Sequence, residues 1–180
     1  MFRNYETYAL VTGAASGMGR IYADRLAAKG YNLVLVDINA KGLDETAEIV
    51  KATVASSSEI PEELKKAFKV LPVVQDLSVI DAADRIWEKT DAEGCVVEVL
   101  VNNAGVMYCQ GIAETSERML QLIMMVHMNT PLMLCRKYVG AMKERGSGYI
   151  LNISSLAAWV AWPGIGMYGD TKRFVRNYSR

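Results

Sequence analysis

The stretch "VTGAASGMGR", from Val11 to Arg20, places three glycines directly after a short apolar run and at the start of a helical pattern. Gly13, Gly17 and Gly19 would let the backbone turn sharply and approach a pyrophosphate, which would lie at the helix N-terminus where free N–H groups point outward. The same small residues also serve tight packing of a strand against a helix. The stretch therefore predicts a strand–turn–helix unit and leaves both roles of the glycines open.

The second apolar run favours a phosphate-binding role for this turn. It ends at Asp37, 24 residues after Gly13, where a carboxylate can accept hydrogen bonds from the hydroxyl groups of an adenosine ribose. A 2′-phosphate would meet like charge there, the next residue is Ile38 rather than an arginine, and Ala15 and Ser16 carry no charge. NAD is therefore favoured and NADP is the alternative cofactor. A turn-forming aspartate at a strand end is the alternative role for Asp37.

Short runs rich in valine and leucine alternate with helical patterns along the whole chain. This alternation indicates βαβ crossovers, and successive apolar positions are typical of strands that are covered on both faces. The predicted strands are Tyr8–Thr12, Asn32–Asp37, Leu71–Gln75, Val97–Val101 and Tyr149–Ile153. The predicted helices are Gly17–Ala28, Ala40–Ala55, Pro61–Lys69, Val79–Thr90 and Thr115–Arg145, the last with a kink at Pro131. The sequence thus predicts one α/β domain, residues 1–180, in which a doubly wound parallel sheet lies between two layers of helices.

The composition argues against several other classes of protein. A chain of 180 residues that is 51% hydrophobic and 22% charged suits a globular domain. Basic and acidic residues balance at 20 each, so the net charge favours neither nucleic acid nor anionic lipid as a partner. No apolar run approaches the roughly 18 residues of a membrane helix, and the N-terminus lacks the apolar core of a signal peptide. We therefore expect a cytoplasmic protein with no membrane or nucleic-acid partner.

The single histidine and the three cysteines do not predict a metal site. Cys95, Cys109 and Cys135 lack the spacing of metal ligands, and their odd number argues against a disulfide framework. His127 lies in an apolar helical pattern, where a packed side chain is more common than an acid or base. Cys109 follows the fourth predicted strand, but nothing beside it in the sequence indicates an activated thiolate.

A tyrosine and a lysine four residues apart, Tyr168 and Lys172, form a candidate catalytic pair. In a chain with nine tyrosines this spacing alone is close to a chance event, because residues four apart simply share a helix face. Four motifs in order give the pair its weight: "TGAASGMG" (12–19), "NNAG" (102–105), "NISS" (152–155) and "YGDTK" (168–172). With these motifs the chain resembles the short-chain dehydrogenase/reductase family from Thr12 to Lys172.

The resemblance implies a Rossmann-like fold and hydride transfer between a nicotinamide cofactor, NAD(H) or NADP(H), and a small-molecule secondary alcohol or ketone. For a chain of full family length it also implies a homo-oligomer, either a dimer or a tetramer. The implied catalytic residues are Asn129, Ser155, Tyr168 and Lys172. The implied cofactor-binding residues are Gly13, Ser16, Gly17, Met18, Gly19, Asp37, Asp76, Leu77, Asn103, Ala104, Gly105, Tyr168 and Lys172.

The chemistry of hydride transfer suits these residue types. An alcohol must lose a proton while hydride leaves, and a lysine ammonium about 4 Å from a tyrosine favours phenolate by up to roughly 4 kcal/mol at an effective dielectric of about 20. Tyr168 could then act as general acid or base, Ser155 would stabilise charge on the substrate oxygen, and Asn129 could hold a water near Lys172. Ser155 at a strand end and Asn129 before a proline could instead be ordinary capping residues.

The chain departs from the family pattern in two ways. Asp170 stands between Tyr168 and Lys172, where the family usually has small residues, and its charge would weaken the effect of the lysine if the carboxylate turned inward. Family members usually continue beyond the tyrosine–lysine motif, so the last two strands of the family sheet and its substrate loop are expected to be missing. The alternative function is therefore a truncated, non-catalytic dinucleotide-binding or interaction module.

Three large apolar residues lie between the serine and the tyrosine of the candidate site. Trp159, Trp162 and Ile165 predict either an apolar wall for a lipophilic alcohol or ketone, or ordinary core packing.

Overall fold

The computed structural model describes residues 3–180 as a parallel sheet of five strands in the order β3-β2-β1-β4-β5, with helices on both faces. The strands are β1 (Tyr8–Thr12), β2 (Asn32–Asp37), β3 (Val70–Val74), β4 (Val97–Asn102) and β5 (Tyr149–Asn152). The helices are α1 (Gly17–Ala28), α2 (Ala40–Ser56), α3 (Glu62–Ala67), α4 (Ala82–Ala92), α5 (Glu117–Met124), α6 (Thr130–Arg145) and α7 (Gly166–Tyr178). The predicted Rossmann-like, three-layer α/β fold is confirmed.

The central strands are apolar at successive positions because each face of the sheet is covered by its own helices. Ala9 and Val11 of β1 belong to the core that packs against α1 and α2. Leu10, between them, belongs to the core that packs against α4 and α6. Alternate residues of a strand point to opposite faces, so both faces need apolar side chains.

The order of the strands reverses between β1 and β4, which are neighbours in space although the chain forms β2 and β3 between them. Both strands run parallel, so the loops that leave their carboxyl ends diverge and open a crevice at this point. The glycine-rich turn follows β1, and the "NNAG" motif begins at the last residue of β4. The fold therefore brings the first two sequence motifs together at one edge of the sheet.

The predicted boundaries of β1, β2 and α1 are confirmed, whereas the predicted start of α4 is wrong. The helix begins at Ala82 rather than Val79. The carboxylate of Asp76 accepts hydrogen bonds from the backbone N–H and the hydroxyl of Ser78, at 2.8 and 2.7 Å. This side-chain turn holds the chain in a non-helical conformation directly after β3.

The kink predicted at Pro131 takes the form of a π-helical turn, Met125–Asn129, between α5 and α6. Pro131 has no N–H to donate to the carbonyl of His127, so the regular ladder is interrupted there. The N–H of Thr130 instead bonds the carbonyl of Met125, five residues back. Turns of this kind widen a helix locally and change the direction of its side chains.

Candidate functional site

The hydroxyl of Thr12, the last residue of β1, ties the two loops of the crevice together. It accepts hydrogen bonds from the backbone N–H groups of Asn103, at 3.0 Å, and Ala104, at 3.1 Å. The side-chain amide of Asn103 in turn donates to the carbonyl of Thr12 at 2.9 Å. The glycine-rich turn and the "NNAG" loop therefore form one rigid floor.

Gly13 has a positive φ of 67° and lies against the neighbouring loop. A Cβ atom at this position would be only 2.9 Å from the Cα atom of Ala104 and 2.9 Å from the side-chain nitrogen Nδ2 of Asn103. Both the backbone conformation and the close approach therefore require glycine here.

The crevice is a cleft of about 380 Å³. Ten of the predicted cofactor-binding residues line it: Gly13, Ser16, Gly17, Met18, Asp37, Asp76, Leu77, Asn103, Ala104 and Gly105. The other three predicted residues, Gly19, Tyr168 and Lys172, do not belong to its lining. Five further residues line it as well: Ile38, Gln75, Val106, Leu122 and Val126.

Most of these additional lining residues carry a signal in the sequence. Ile38, Gln75 and Val106 are direct chain neighbours of predicted residues, so extending each motif by one position would have found them. Leu122 and Val126 are four residues apart on the helical segment that follows the "NNAG" loop. The sequence offers no sign that this helix face, rather than another, covers the cleft.

The carboxylate of Asp37 is fixed by two backbone groups at the end of β2. It accepts hydrogen bonds from the N–H of Ala15 at 3.1 Å and from the N–H of Asn39 at 3.0 Å. The turn-forming role considered for Asp37 is therefore present in the structure, together with its place in the lining of the cleft. The two roles are compatible, because each carboxylate oxygen can accept more than one hydrogen bond.

The lining fits a dinucleotide. The Ser16 side chain caps no N–H group at the start of α1, so the first N–H groups of this helix are available to a phosphate. A Cβ atom at Gly17 would meet nothing within 4 Å. The side-chain oxygen Oδ1 of Asn103 is buried and has no hydrogen-bond partner within residues 3–180. Free donors, open space and an unpaired acceptor thus meet in the same cleft.

Helix α7 carries Tyr168 and Lys172 to the side of this cleft. The Lys172 side chain is buried, and its ammonium donates a hydrogen bond to the carbonyl of Ile153 at 2.9 Å. Its Nζ atom lies 5.8 Å from the ring centroid of Tyr168 and 3.6 Å from the place of a Cβ atom on Gly105. Burial lowers the pKa of this lysine. Lys172 therefore adjoins the "NNAG" loop. Asp170, which stands between Tyr168 and Lys172 in the sequence, is exposed to solvent.

Ser155 begins the 3₁₀ turn Leu156–Ala158, against which α7 packs. Its Oγ atom accepts a hydrogen bond from the N–H of Ala157 at 3.2 Å, so the capping role considered for Ser155 is present. As an acceptor in that bond, the hydroxyl keeps its own proton for another group. Gly169 of α7 lets the helix come close, since a Cβ atom there would lie 2.8 Å from the carbonyl oxygen of Ala157.

Asn129 ends the π-helical turn and is half-buried. Its side chain makes no capping hydrogen bond at the start of α6, so the capping alternative is wrong for this residue. Helix α7 packs against the π-helical turn. The four predicted catalytic residues therefore lie on elements that pack together around α7.

The core-packing alternative is wrong for the two tryptophans. Trp159 and Trp162 are 63% and 56% exposed, whereas Ile165 is buried. The guanidinium of Arg176 lies 3.8 Å above the ring of Trp159 and holds it in place. Both indole rings therefore form apolar surface on the segment that joins Ser155 to α7.

Two further features are absent from the described residues. Across residues 3–180, no group of three or more His, Cys, Asp or Glu side chains could hold a metal ion. None of the helices between residues 3 and 180 is long and apolar enough to cross a membrane.

The comparison with protein families decides the relationship. Residues 7–180 match the family described as short chain dehydrogenase. This chain belongs to the short-chain dehydrogenase family.

Relatives in the short-chain dehydrogenase family are longer than this chain. It is 30% identical, over 184 aligned positions, to 17-beta-hydroxysteroid dehydrogenase type 3 of Danio rerio, with 99% of this chain and 55% of the relative covered. The chain spans about half the length of this relative and of two very-long-chain 3-oxoacyl-CoA reductases that it also matches.

Solved structures of short-chain dehydrogenases show the same fold. The bulky-bulky ketone specific alcohol dehydrogenase of Comamonas testosteroni is 28% identical with a TM-score of 0.83, covering 98% of this chain and 65% of that one. A metagenomic short-chain oxidoreductase in complex with NADP is 26% identical with a TM-score of 0.83, covering 98% and 75%.

Proposed function

We propose that this short-chain dehydrogenase catalyses reversible hydride transfer between NAD(H) and a lipophilic secondary alcohol or ketone. The observation that carries the proposal is the position of the Lys172 ammonium, 5.8 Å from the ring centroid of Tyr168 and 3.6 Å from the place of a Cβ atom on Gly105, which lines a cleft that fits a dinucleotide. In that position, a nicotinamide held in the cleft and the hydroxyl of Tyr168 would reach the same carbonyl group.

Each proposed residue then has one chemical task. When bound, the nicotinamide supplies the hydride for reduction or accepts it in oxidation. In the direction of reduction, the Tyr168 hydroxyl gives its proton to the carbonyl oxygen while the carbonyl carbon gains the hydride, which yields the alcohol. The Ser155 hydroxyl donates a hydrogen bond to that oxygen, and Lys172 stabilises the negative charge left on Tyr168.

The preference for NAD(H) over NADP(H) rests on the charges around Asp37. Its carboxylate lines the cleft and would repel a 2′-phosphate. The nearest guanidinium at the turn, that of Arg20, is already bonded to the carbonyl of Ala15 at 2.6 Å, to Thr46 at 2.9 Å and to Glu45 at 3.3 Å. It is therefore not free to neutralise a phosphate. The metagenomic oxidoreductase is in complex with NADP, so cofactor choice needs its own test.

Titrating the protein with NADH and with NADPH, followed by nucleotide fluorescence, tests the cofactor proposal. We expect saturable binding of NADH and at least about tenfold weaker binding of NADPH. Asp37→Asn keeps an acceptor oxygen but removes the charge. It should bring the Kd of NADPH closer to the Kd of NADH. Asp91→Asn, on the exposed end of α4, is the matched control and should leave it unchanged. Equal binding of both nucleotides by the unchanged protein would contradict the preference.

The lipophilic substrate rests on the exposed tryptophans between Ser155 and α7. The Comamonas testosteroni relative is a bulky-bulky ketone specific alcohol dehydrogenase, and the Danio rerio relative is a 17-beta-hydroxysteroid dehydrogenase. We expect reduction of acetophenone and androstenedione by NADH, and little reduction of acetone. Trp162→Ala should raise the KM for the two large ketones, because it removes apolar contact area. A higher rate with acetone than with either large ketone would contradict this substrate class.

A non-catalytic dinucleotide-binding module is the second candidate. The observation that favours it is the exposure of Trp159 and Trp162, 63% and 56%, because a closed substrate pocket would bury such side chains. Saturable NADH binding without turnover of any ketone in the panel would support this candidate. Absence of NADH binding would contradict both.

A further inference from the structure

His127 lies where three parts of the candidate site meet, yet none of the proposed roles uses it. It stands in the π-helical turn and is 1% exposed. Its ring meets the ring of Tyr168 edge-on, with the centroids 5.5 Å apart at an angle of 77°. A Cβ atom on Gly105 would lie 3.1 Å from its Nε2 atom. The imidazole therefore contacts both the "NNAG" loop and the tyrosine of α7.

Both ring nitrogens of His127 are hydrogen-bonded, and the bonds define one tautomer. Nε2 accepts from the backbone N–H of Val106 at 2.9 Å, so it carries no proton. The proton of the neutral ring is therefore on Nδ1, which donates to the hydroxyl of Thr171 at 2.9 Å. The Thr171 hydroxyl donates onward to the carbonyl of Tyr168 at 2.8 Å. All three bonds run in one direction.

The surroundings keep this ring neutral. Burial, and next the positive charge of Lys172, lower the pKa of His127 to about 4. A protonated ring would also turn an N–H toward the N–H of Val106, where an acceptor is needed. The hydrogen bonds from Val106 through His127 to Thr171, here called the bridge, therefore keep the neutral Nδ1–H tautomer of the ring at neutral pH.

We propose that His127 is a positioning residue that fixes the distance between the cofactor cleft and the hydroxyl of Tyr168. Val106 lines the cleft, and Thr171 belongs to the same helical turn as Tyr168 and Lys172. Hydride and proton must arrive at the two ends of one carbonyl bond, and a misplacement of about 1 Å can cost about a hundredfold in rate. This inference rests on the proposed function of the same site.

The chain offers a closely matched control for the loss of a buried threonine hydroxyl. Thr171 and Thr90 are both 1% exposed and both helical. Thr90 donates to the carbonyl of Trp87 at 2.9 Å and bonds the hydroxyl of Tyr138 at 2.8 Å, as Thr171 bonds Tyr168 and His127. Only the Thr171 arrangement adjoins the candidate site. Thr171→Val and Thr90→Val therefore remove similar contacts at different places.

The test compares these variants in the reduction of acetophenone by NADH. We expect Thr171→Val and His127→Phe to lower kcat at least about tenfold, with the Kd of NADH changed less than about threefold. Thr90→Val should keep kcat within about twofold of the unchanged protein, although it loses comparable stability. His127→Asn retains a side-chain N–H near the place of Nδ1 and should recover part of the kcat lost in His127→Phe.

Two results would overturn the positioning role: kcat of Thr171→Val within about twofold of the unchanged protein, or an equal fall of kcat in Thr90→Val.

If the unchanged protein reduces no ketone, the proposed function fails, and hydrogen exchange at the backbone amides of residues 168–172 tests the bridge by itself. Thr171→Val should then accelerate this exchange and Thr90→Val should not. Unchanged exchange in Thr171→Val would contradict the bridge.

Discussion

At the scale of single residues, the site contains buried polar side chains that are satisfied by backbone groups instead of by counter-charges. Lys172 donates to the carbonyl of Ile153, and His127 accepts from the N–H of Val106. Burying such groups costs stability even when each makes a hydrogen bond. Their pKa values are lowered for the same reason, so protonation of the histidine in acid works against folding.

The pH dependence of stability follows from His127. Its pKa is about 4 in the folded protein, below the ordinary value of 6.5, so the unfolded chain binds more protons between these two values. The contribution of the neutral ring is fully present above pH 6.5 and is lost as the pH falls toward 4. We expect the free energy of unfolding, measured with urea, to fall by about 2 kcal/mol more between pH 7 and pH 5 in the unchanged protein than in His127→Asn.

Comparing the two proteins cancels the contribution of the carboxylates, which both share. An equal fall in the unchanged protein and in His127→Asn would show that the ring titrates at its ordinary value.

Alanine substitutions at Gly13 and Gly94 distinguish the cost of a positive φ from the cost of a steric clash between the two loops of the cleft. Both have a positive φ, 67° and 63°, but a Cβ atom at Gly94 would meet nothing within 4 Å. Gly94→Ala should therefore cost only the backbone term, about 1–2 kcal/mol in urea unfolding. Gly13→Ala should cost more, because the added methyl group pushes against Ala104, and should weaken NADH binding. Equal losses of stability, with NADH binding intact in both variants, would contradict the close approach of the two loops.

At the scale of elements, the N-terminus of α2 holds the carboxylate of Asp37, which lines the cleft. The Asn39 side chain caps α2 by accepting from the N–H of Gly42 at 3.0 Å. The backbone N–H of the same residue holds Asp37. Loss of the side-chain cap leaves this N–H in the chain, so it acts on the carboxylate by releasing the backbone conformation at Asn39 that the cap holds.

Asn39→Ala should lower the free energy of unfolding by about 1 kcal/mol and weaken NADH binding. The matched control is Ser116→Ala at the start of α5, where the capping bond is longer, at 3.3 Å, and exposed. It should cost less stability and leave NADH binding unchanged. Thermal unfolding and fluorescence titration measure both effects, and a larger loss in the α5 variant would contradict the assignment.

The ends of an element could be predicted where residues of the element itself mark them, and could not be predicted where other interactions set them. The bounds of β1, β2 and α1 were predictable because apolar runs, glycines and Asp37 mark each end. The start of α4 was not, because the hydrogen bonds from Ser78 to Asp76 override a helical pattern. Pro131 predicted an interruption, but a proline does not specify whether the helix kinks or widens into a π-helical turn.

At the scale of the whole molecule, β5 forms one edge of the described sheet. Its residues Tyr149 and Leu151 are 59% and 42% exposed. An edge strand with exposed apolar side chains can pair with another chain. Tyr149→Lys should therefore lower the weight-average mass found by light scattering at high protein concentration.

The matched control for this prediction is Ile80→Lys, in the loop before α4, where an isoleucine is 76% exposed outside strand β5. It should leave the mass unchanged. If both lysines lower the mass equally, general solubility rather than the edge is responsible.

Motifs that act through neighbouring residues of the chain were the predictable part of the site. The glycine-rich turn, Asp37 and the "NNAG" loop each follow a strand, so the fold alone brings them into one cleft. The bridge from Val106 through His127 to Thr171 was not predictable, because its members are separated by 21 and 44 positions and meet only through packing. The oligomeric state stays a prediction.

The central claim, that Tyr168 transfers the proton in a hydride-transfer reaction, is tested most directly by Tyr168→Phe. The measurement is kcat for reduction of acetophenone by NADH, together with the Kd of NADH, in this variant and in Tyr178→Phe at the far end of α7. We predict that Tyr168→Phe lowers kcat by about 10²–10⁴-fold with an almost unchanged Kd, whereas Tyr178→Phe keeps its turnover. Turnover by Tyr168→Phe within about tenfold of the unchanged protein would contradict the account.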